Sequence, residues 1–473
     1  MNRSSFLEEG QTSALARRRR TTAARLIAGL LVAALAAAIG ALLLGGQRSH
    51  HHRQARSTAS AAALAHTQSA ARPGPRSGSL ARPAASARLR RLQTRLATTL
   101  RSNGEQSGAA VADLSDRTLL YAVRQDVPRP PASLEKLYTS VAALDLLGAR
   151  ARLKTTVMGV GRLGGRGVWH GNLYLRGGGD PTFGDGTWNR LYMGGQGPTA
   201  TELVAQLRHD GIRQVTGWVY GDESLFDSDR GGPATHNRPD IPDYGGQLSA
   251  LVYDHGMSAT RMSPAVFATH ELVLTMGVQG LHARAARRLE VTPAGATRLA
   301  VVSSPPLAEL LRLMNVPSDD LIADLLAKQL GARLAGSGSL AAGAAEIRRV
   351  LARSYGLRPV IRDGSGLDRA DRSTPAQVLE LLTAVWGTPS GRVLYRSLPV
   401  LGRQGTVQGI GVGSYADGHC AAKTGTLNDV TNLAGYCTTR SRQTIAFALM
   451  IDGQPNIQAV RSLSHAVATI AAY

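Results

Sequence analysis

The sequence predicts an α+β protein: an antiparallel sheet flanked by helices, split by a β-rich insertion and preceded by one transmembrane helix. Three observations carry this reading. One apolar stretch near the start is long enough to cross a bilayer. Helical apolar spacing stands on both sides of a glycine-punctuated middle portion. The C-terminal part then alternates short apolar runs with turn residues before a last helical stretch. The 473 residues leave room for two domains, and 43% apolar residues exclude wholesale disorder. Two cysteines exclude a disulfide-dense scaffold and a four-cysteine zinc site.

Charge separates the leader from the rest. Lys and Arg number 54 against 33 Asp and Glu, a net charge of +21 that raises nucleic acid as a partner. Residues 1–92 hold 15 arginines and two acids, net +13, so the other 381 residues carry only +8. The basicity belongs to a leader, no nucleic-acid motif accompanies it, and no nucleic-acid partner is expected. Only four of the basic residues are lysines: Lys136, Lys154, Lys328 and Lys423. Arginine cannot be deprotonated to serve as a base, so each lysine is a candidate for chemistry.

Within the leader, residues 26–46 form an uncharged run of 21 residues. At about 1.5 Å per residue a helix of that length spans the roughly 30 Å hydrocarbon core. Arg17–Arg20 and Arg25 precede it, which puts residues 1–25 in the cytoplasm and the bulk of the chain outside. A cleaved signal peptide is the alternative, but Gln47 and Arg48 follow where a small-residue cleavage site belongs. Residues 47–85, rich in Ala, Ser, Arg, His and Pro, read as a flexible linker.

The folded part begins with Leu89, Leu92, Leu96 and Leu100 on one helical face, followed by a hairpin of 108–114 with 118–123. A helix runs from about Ser133 to Leu147, where Gly148 stops it. Residues 153–302 carry glycine clusters between short β-like runs (168–175 and 215–220), with helical patterns at 201–208 and 264–280. They read as an inserted β-rich domain, leaving 86–152 and 303–473 as one domain split in sequence. Helices at 307–314 and 321–330, strands at 419–424, 431–437 and 444–451, and a helix at 456–472 complete it. Cys420 and Cys437 are equidistant from a turn at Asn428-Asp429, so a symmetric hairpin sets them opposite each other. In an exported domain that register favours a disulfide over two buried thiols.

Two lysines stand in chemically suggestive places. Ser133-Leu134-Glu135-Lys136 puts a hydroxyl and an amine on one helical face, and a desolvated amine is able to take the serine proton. Lys423-Thr424-Gly425-Thr426 ends a strand, offering a cation and two hydroxyls for a carboxylate, with Gly425 leaving space where a substrate backbone would lie. Between them Ser318-Asp319-Asp320 heads a helix, where a plain N-cap is the competing explanation.

Together these residues resemble the penicillin-binding, active-site-serine D,D-peptidases, with their Ser-x-x-Lys, Ser-x-Asn and Lys-Thr-Gly signature. More closely, the chain is similar to the D-alanyl-D-alanine carboxypeptidase/endopeptidase family of class C low-molecular-weight penicillin-binding proteins. That family carries a large insertion between its first two motifs, and here 181 residues separate Lys136 from Ser318. Further family-like runs are Gly177–Pro181, Gly221–Asp227, Leu248–Gly256 and Asp363–Leu367.

The resemblance implies a penicillin-binding, transpeptidase-like fold and a hydrolase that removes the terminal D-alanine from peptidoglycan stem peptides. Ser133 would be the acylated nucleophile, Lys136 its base and Ser318 the relay to the leaving D-alanine. Lys423, Thr424 and Thr426 would hold the terminal carboxylate, and the backbone N–H groups of Ser133 and Thr426 would form the oxyanion hole. Arg369, Leu367 and Asp227 would contact the stem-peptide side chain, although a surface salt bridge explains Arg369 equally well. β-Lactams are the implied inhibitors, and neither a metal nor another cofactor is expected. The departure is Asp320, where the family has asparagine: an ionised carboxylate accepts hydrogen bonds but donates none, and it favours the charged form of Lys136. A catalytically impaired paralogue that binds wall peptides is therefore the alternative, with a β-lactamase ranked last for want of a deacylating base.

Overall fold

The computed structural model describes residues 86–239, 245–257 and 262–473. The predicted basic tail, membrane anchor and linker lie outside the described residues. Among those described, no helix is long and apolar enough to cross a membrane.

Helix α1 (Ala87–Arg101) is capped by Ser86 and buries the four predicted leucines. Strands β1 (Gly108–Asp113) and β2 (Thr118–Val123) form the expected hairpin. A 3-10 turn over Ala132–Leu134 then leads into α2 (Glu135–Leu147). The segment read as an insertion comprises β3 (Lys154–Leu163), β4 (Val168–Arg176), α3 (Gly186–Tyr192), α4 (Ala200–His209), β5 (Gln214–Val215), β6 (Val219–Asp222), α5 (Pro264–Val278), β7 (Ala285–Leu289) and β8 (Thr297–Ser303). Five helices follow: α6 (Leu307–Asn315), α7 (Asp320–Leu334), α8 (Leu340–Tyr355), α9 (Pro375–Val385) and α10 (Pro389–Ser397). The chain ends in β9 (Cys420–Leu427), β10 (Val430–Thr438), β11 (Thr444–Asp452) and α11 (Asn456–Ala471).

The first sheet runs β2-β1-β11-β10-β9, antiparallel throughout, and joins the two ends of the described chain. Its central strand β11 is covered on both faces, which the period-two alternation of side chains makes explicit. Ala446, Ala448 and Met450 join the core formed with α2, α7, α8 and α9. Ile445, Phe447, Leu449 and Ile451 join the core formed with α1 and α11. Cys420 and Cys437 are register partners across β9 and β10 and form a disulfide.

The insertion differs from the sequence reading in two respects. Its sheet runs β7-β6-β4-β3-β8, and three helices accompany it, so its architecture is mixed. The β4–β6 and β6–β7 pairs are parallel because α4 and α5 supply the crossovers that parallel neighbours require. The single run expected over 215–220 is also broken in two. At Gly217, between β5 and β6, a Cβ would lie 2.4 Å from the Gly171 carbonyl oxygen, so the chain passes β4 where no side chain fits. Helices α8, α9 and α10 were not anticipated from the sequence.

Candidate active site

Three chain segments meet at one cleft. The 3-10 turn brings Ser133 to the sheet, with Ala132 held at φ 48°. Ser318 stands just before α7 at φ 69°, a left-handed conformation that costs a non-glycine residue about 1–3 kcal/mol and fixes its hydroxyl apart from the helix. Asp319, not Ser318, is the N-cap, its carboxylate accepting from Ile322 N. The plain-cap explanation therefore applies to the middle residue of the triplet and leaves Ser318 for the cleft. The third segment, Lys423–Thr426, lies on β9.

Gly425 serves a different purpose from the one the sequence suggested. A Cβ there would sit 2.4 Å from the Pro131 carbonyl oxygen and 3.1 Å from Leu134 N. Its bare backbone lets β9 touch the turn that carries Ser133, so the protein's own chain occupies the space assigned to substrate. Asn432 on β10 secures the same turn, donating to the carbonyls of Pro130 (3.0 Å) and Pro131 (2.9 Å).

Lys136 is wholly buried. Its Nζ donates to Ser133 Oγ at 2.9 Å, to the Ser365 carbonyl at 2.8 Å, and to Asp320 Oδ1 in an ion pair. An ammonium has three protons, and these contacts use all three. Lys423, also wholly buried, donates to Ser318 Oγ at 2.6 Å and to the Thr424 carbonyl at 3.0 Å. Burial, together with the neighbouring Lys136 charge, holds the Lys423 pKa well below the usual amine range despite Asp320. Burial raises the Asp320 carboxyl against the opposing pull of Lys136. Thr424 Oγ1 donates to Thr406 Oγ1 at 2.7 Å.

A cleft of about 380 Å³ opens over this group, lined by Ser133, Ser318, Asp320, Thr424 and Thr426 with Asn432, Thr406 and Thr431. Ile410, Val460 and Leu463 give it an apolar side. Four of the sequence-predicted side chains, Ser133, Lys136, Ser318 and Lys423, thus form two hydrogen-bonded pairs at one opening, with Asp320 joined to Lys136.

Arg369, Leu367 and Asp227 are not among the residues lining that cleft. Arg369 donates to the Asn428 carbonyl at 2.7 Å, on the turn between β9 and β10. Leu367 packs against the core under α2. Asp227 forms an ion pair with the buried Lys328 of α7, whereas Arg369 is held by the Asn428 carbonyl. Sequence reasoning missed Asn432, Thr406 and the Ser365 carbonyl. Asn432 carried a signal, being a polar residue inside a strand whose neighbours are otherwise largely apolar; a backbone carbonyl carries none.

This constellation on an antiparallel sheet with helices on both faces defines an active-site-serine peptidase of the penicillin-recognising kind. The profile of the D-Ala-D-Ala carboxypeptidase 3 (S13) family matches residues 90–266 and 246–472, and the chain belongs to that family. It is 31% identical over 369 residues to carboxypeptidase DacB of Mycolicibacterium smegmatis, covering 72% of this chain and 75% of the relative. It is 27% identical over 436 residues to a D-alanyl-D-alanine carboxypeptidase of an Actinomadura strain, covering 74% and 78%. The crystal structure of penicillin binding protein 4 (dacB) from Haemophilus influenzae superposes with a TM-score of 0.64 at 21% identity, covering 80% of this chain and 98% of that one. That last likeness concerns the fold.

Proposed function

We propose that the chain is a serine-type D-alanyl-D-alanine carboxypeptidase that acts on peptidoglycan stem peptides through an acyl-enzyme on Ser133. The observation that carries this is the double pairing at one cleft: Lys136 Nζ on Ser133 Oγ at 2.9 Å and Lys423 Nζ on Ser318 Oγ at 2.6 Å. Once Lys136 has lost a proton, its amine takes the one on Ser133 Oγ as that oxygen attacks the carbonyl of the penultimate D-alanine. The backbone N–H groups of Ser133 and Thr426 receive the developing oxyanion. The peptide C–N bond then breaks, and the proton passes through Ser318 Oγ to the amine of the departing D-alanine. Water cleaves the ester and regenerates the serine. Lys423, Thr424 and Thr426 hold the terminal carboxylate, and a β-lactam acylates Ser133 by the same route.

Arg369 and Leu367, on the loop after Ser365, are our candidates for contact with the rest of the stem peptide, which also suits cleavage of cross-links. A role for Asp227 requires that its ion pair with Lys328 be shared. We further propose residues 26–46 as a membrane anchor that holds 86–473 outside the cell, with 153–302 as an inserted domain.

A second reading, a binding paralogue of low turnover, is favoured by the Lys136–Asp320 ion pair. Mass spectrometry of the full-length chain after incubation with benzylpenicillin tests the proposal. An adduct on the peptide containing Ser133, absent from Ser133→Ala, is expected. No adduct on the folded native chain would sink it.

A further inference from the structure

Between the nucleophile and the lysine stands an acid that the mechanism does not use. Glu135 is wholly buried, and neither of its carboxyl oxygens receives an N–H or O–H donor among the described residues. It faces two more buried carboxyls: oxygens of Glu135, Asp363 and Asp371 all lie within 4.8 Å of one another. Asp363 is satisfied by the backbone N–H groups of Ser365 (2.9 Å), Gly366 (2.6 Å) and Asp368 (3.0 Å). Asp371 Oδ1 accepts from Arg362 N at 2.8 Å, while its Oδ2 has no donor among the described residues.

The other charged or titratable groups around Glu135 are Asp324 of α7, Tyr138 one turn along α2, and Lys136. Lys136 has spent its three protons on Ser133, Ser365 and Asp320. Glu135 and Asp371 therefore meet as two acceptors with no donor between them. Two ionised carboxylates cannot persist in that position out of water.

We propose that Glu135 and Asp371 share one proton, as a carboxylic acid–carboxylate hydrogen bond that fastens the 363–371 loop to the catalytic helix. Glu135 is thereby a positioning residue for Lys136. The loop's Ser365 carbonyl accepts from Lys136 Nζ at 2.8 Å and its Gly364 carbonyl from Thr139 Oγ1 at 2.7 Å. A Cβ on Gly366 would lie 2.0 Å from the Ala132 carbonyl oxygen, so the loop also abuts the residue before Ser133. Burial and the neighbouring acids push Glu135 well above the ordinary carboxyl range and Asp371 up to about 9. The effect on acylation rests on the proposed role of Lys136; the effect on stability does not.

The test measures the thermal midpoint of the full-length chain from about pH 5 to about pH 9 for native, Glu135→Gln and Asp371→Asn, with benzylpenicillin acylation alongside. A raised folded pKa means that the native state keeps a proton which the unfolded chain releases above about pH 4.5. Native stability therefore falls as pH rises toward the folded value. Either amide variant removes the shared proton, so its midpoint should fall less steeply over that range, by about several degrees in total. Glu135→Gln keeps a donor for Asp371 and should acylate within about threefold of native, whereas Glu135→Ala should lose about tenfold or more. Parallel pH slopes for native and both amide variants would overturn the proposal. So would a midpoint that rises with added Ca²⁺ or Mg²⁺ and falls with EDTA, which would make the three carboxyls a cation site. Should Glu135→Gln fail to fold, Asp371→Asn reads the same proton from the other side.

Discussion

Replacing Asp320 by asparagine tests the feature in which this chain departs from the Ser-x-Asn pattern it otherwise resembles. The carboxylate forms an ion pair with Lys136, whose two remaining protons lie on Ser133 Oγ and the Ser365 carbonyl. In that state Lys136 accepts nothing. The Asp320 carboxylate only accepts, so it biases this contact toward a Lys136 that donates. The amide removes that bias while its oxygen still accepts one Lys136 proton, and its N–H₂ can donate to a substrate carbonyl.

The expected result is faster acylation by benzylpenicillin at pH 7, by about tenfold or more. Stability should change little. Breaking a buried pair is costly when it strands a charge, about 3–5 kcal/mol, but the amide oxygen and the Ser133 and Ser365 oxygens still accept from Lys136. The assay is the second-order acylation rate from stopped-flow or gel labelling between about pH 5 and 10. Slower acylation of Asp320→Asn at every pH would refute the reasoning and identify Asp320 as the group that takes the Lys136 proton.

Three further expectations rest on single contacts. Gly425→Ala drives a methyl group against the Pro131 carbonyl, 2.4 Å away, and so pushes the Ser133 turn off β9. Labelling by penicillin should fall about 100-fold, with circular dichroism confirming a folded chain. Replacing Cys420 and Cys437 together by serine opens a link across 17 positions and should lower the urea midpoint by an amount equivalent to about 2–3 kcal/mol. At His255, burial lowers the imidazole pKa, but the Asp319 carboxylate 2.8 Å away outweighs it and holds the value above 6.5. The stabilisation is then complete below pH 6.5 and lost as pH rises through the folded value. Denaturation of His255→Gln should accordingly show its largest deficit in acid and a fading one in alkali.

The sheet was legible in the sequence because its strands are short apolar runs with turn residues at their ends, and the 420–437 register follows from counting outward from Asn428-Asp429. The side chains that meet at the cleft were legible because the chemistry proposed for them restricts residue type. What escaped had a different physical basis. Helix α8 packs on α7 through small residues: a Cβ on Gly343 would lie 2.1 Å from the Ala327 carbonyl oxygen. Such close backbone packing rests on Gly and Ala, which an apolar-periodicity reading weighs least. The parallel strands of the insertion escaped because parallel pairing is set by what crosses between strands, not by the strands themselves. Glu135 carries no signal in the sequence, since nothing local announces that Asp371 would fold against it.

The scarcity of lysine proves more informative in three dimensions than along the chain. Lys136, Lys328 and Lys423 are wholly buried, whereas Lys154 is exposed. Three of the four lysines thus occupy enclosed places where a compact ammonium fits. Lys328 belongs to no catalytic motif, yet it occupies such a place: it pairs with Asp227 of the insertion and donates to the Asp229 carbonyl at 3.1 Å. Two turns earlier on the same helix, Asp319 pairs with His255, also of the insertion. The insertion is thus clamped to α7 by charged contacts at the helix start and again beyond its second turn. Ser318 and Asp320 flank the first clamp directly. The position of Ser318 and Asp320 in the cleft is consequently held from the 153–302 side as well as by Lys423 of β9 and Lys136 of α2, which gives that segment a part in assembling a site that none of its described residues lines.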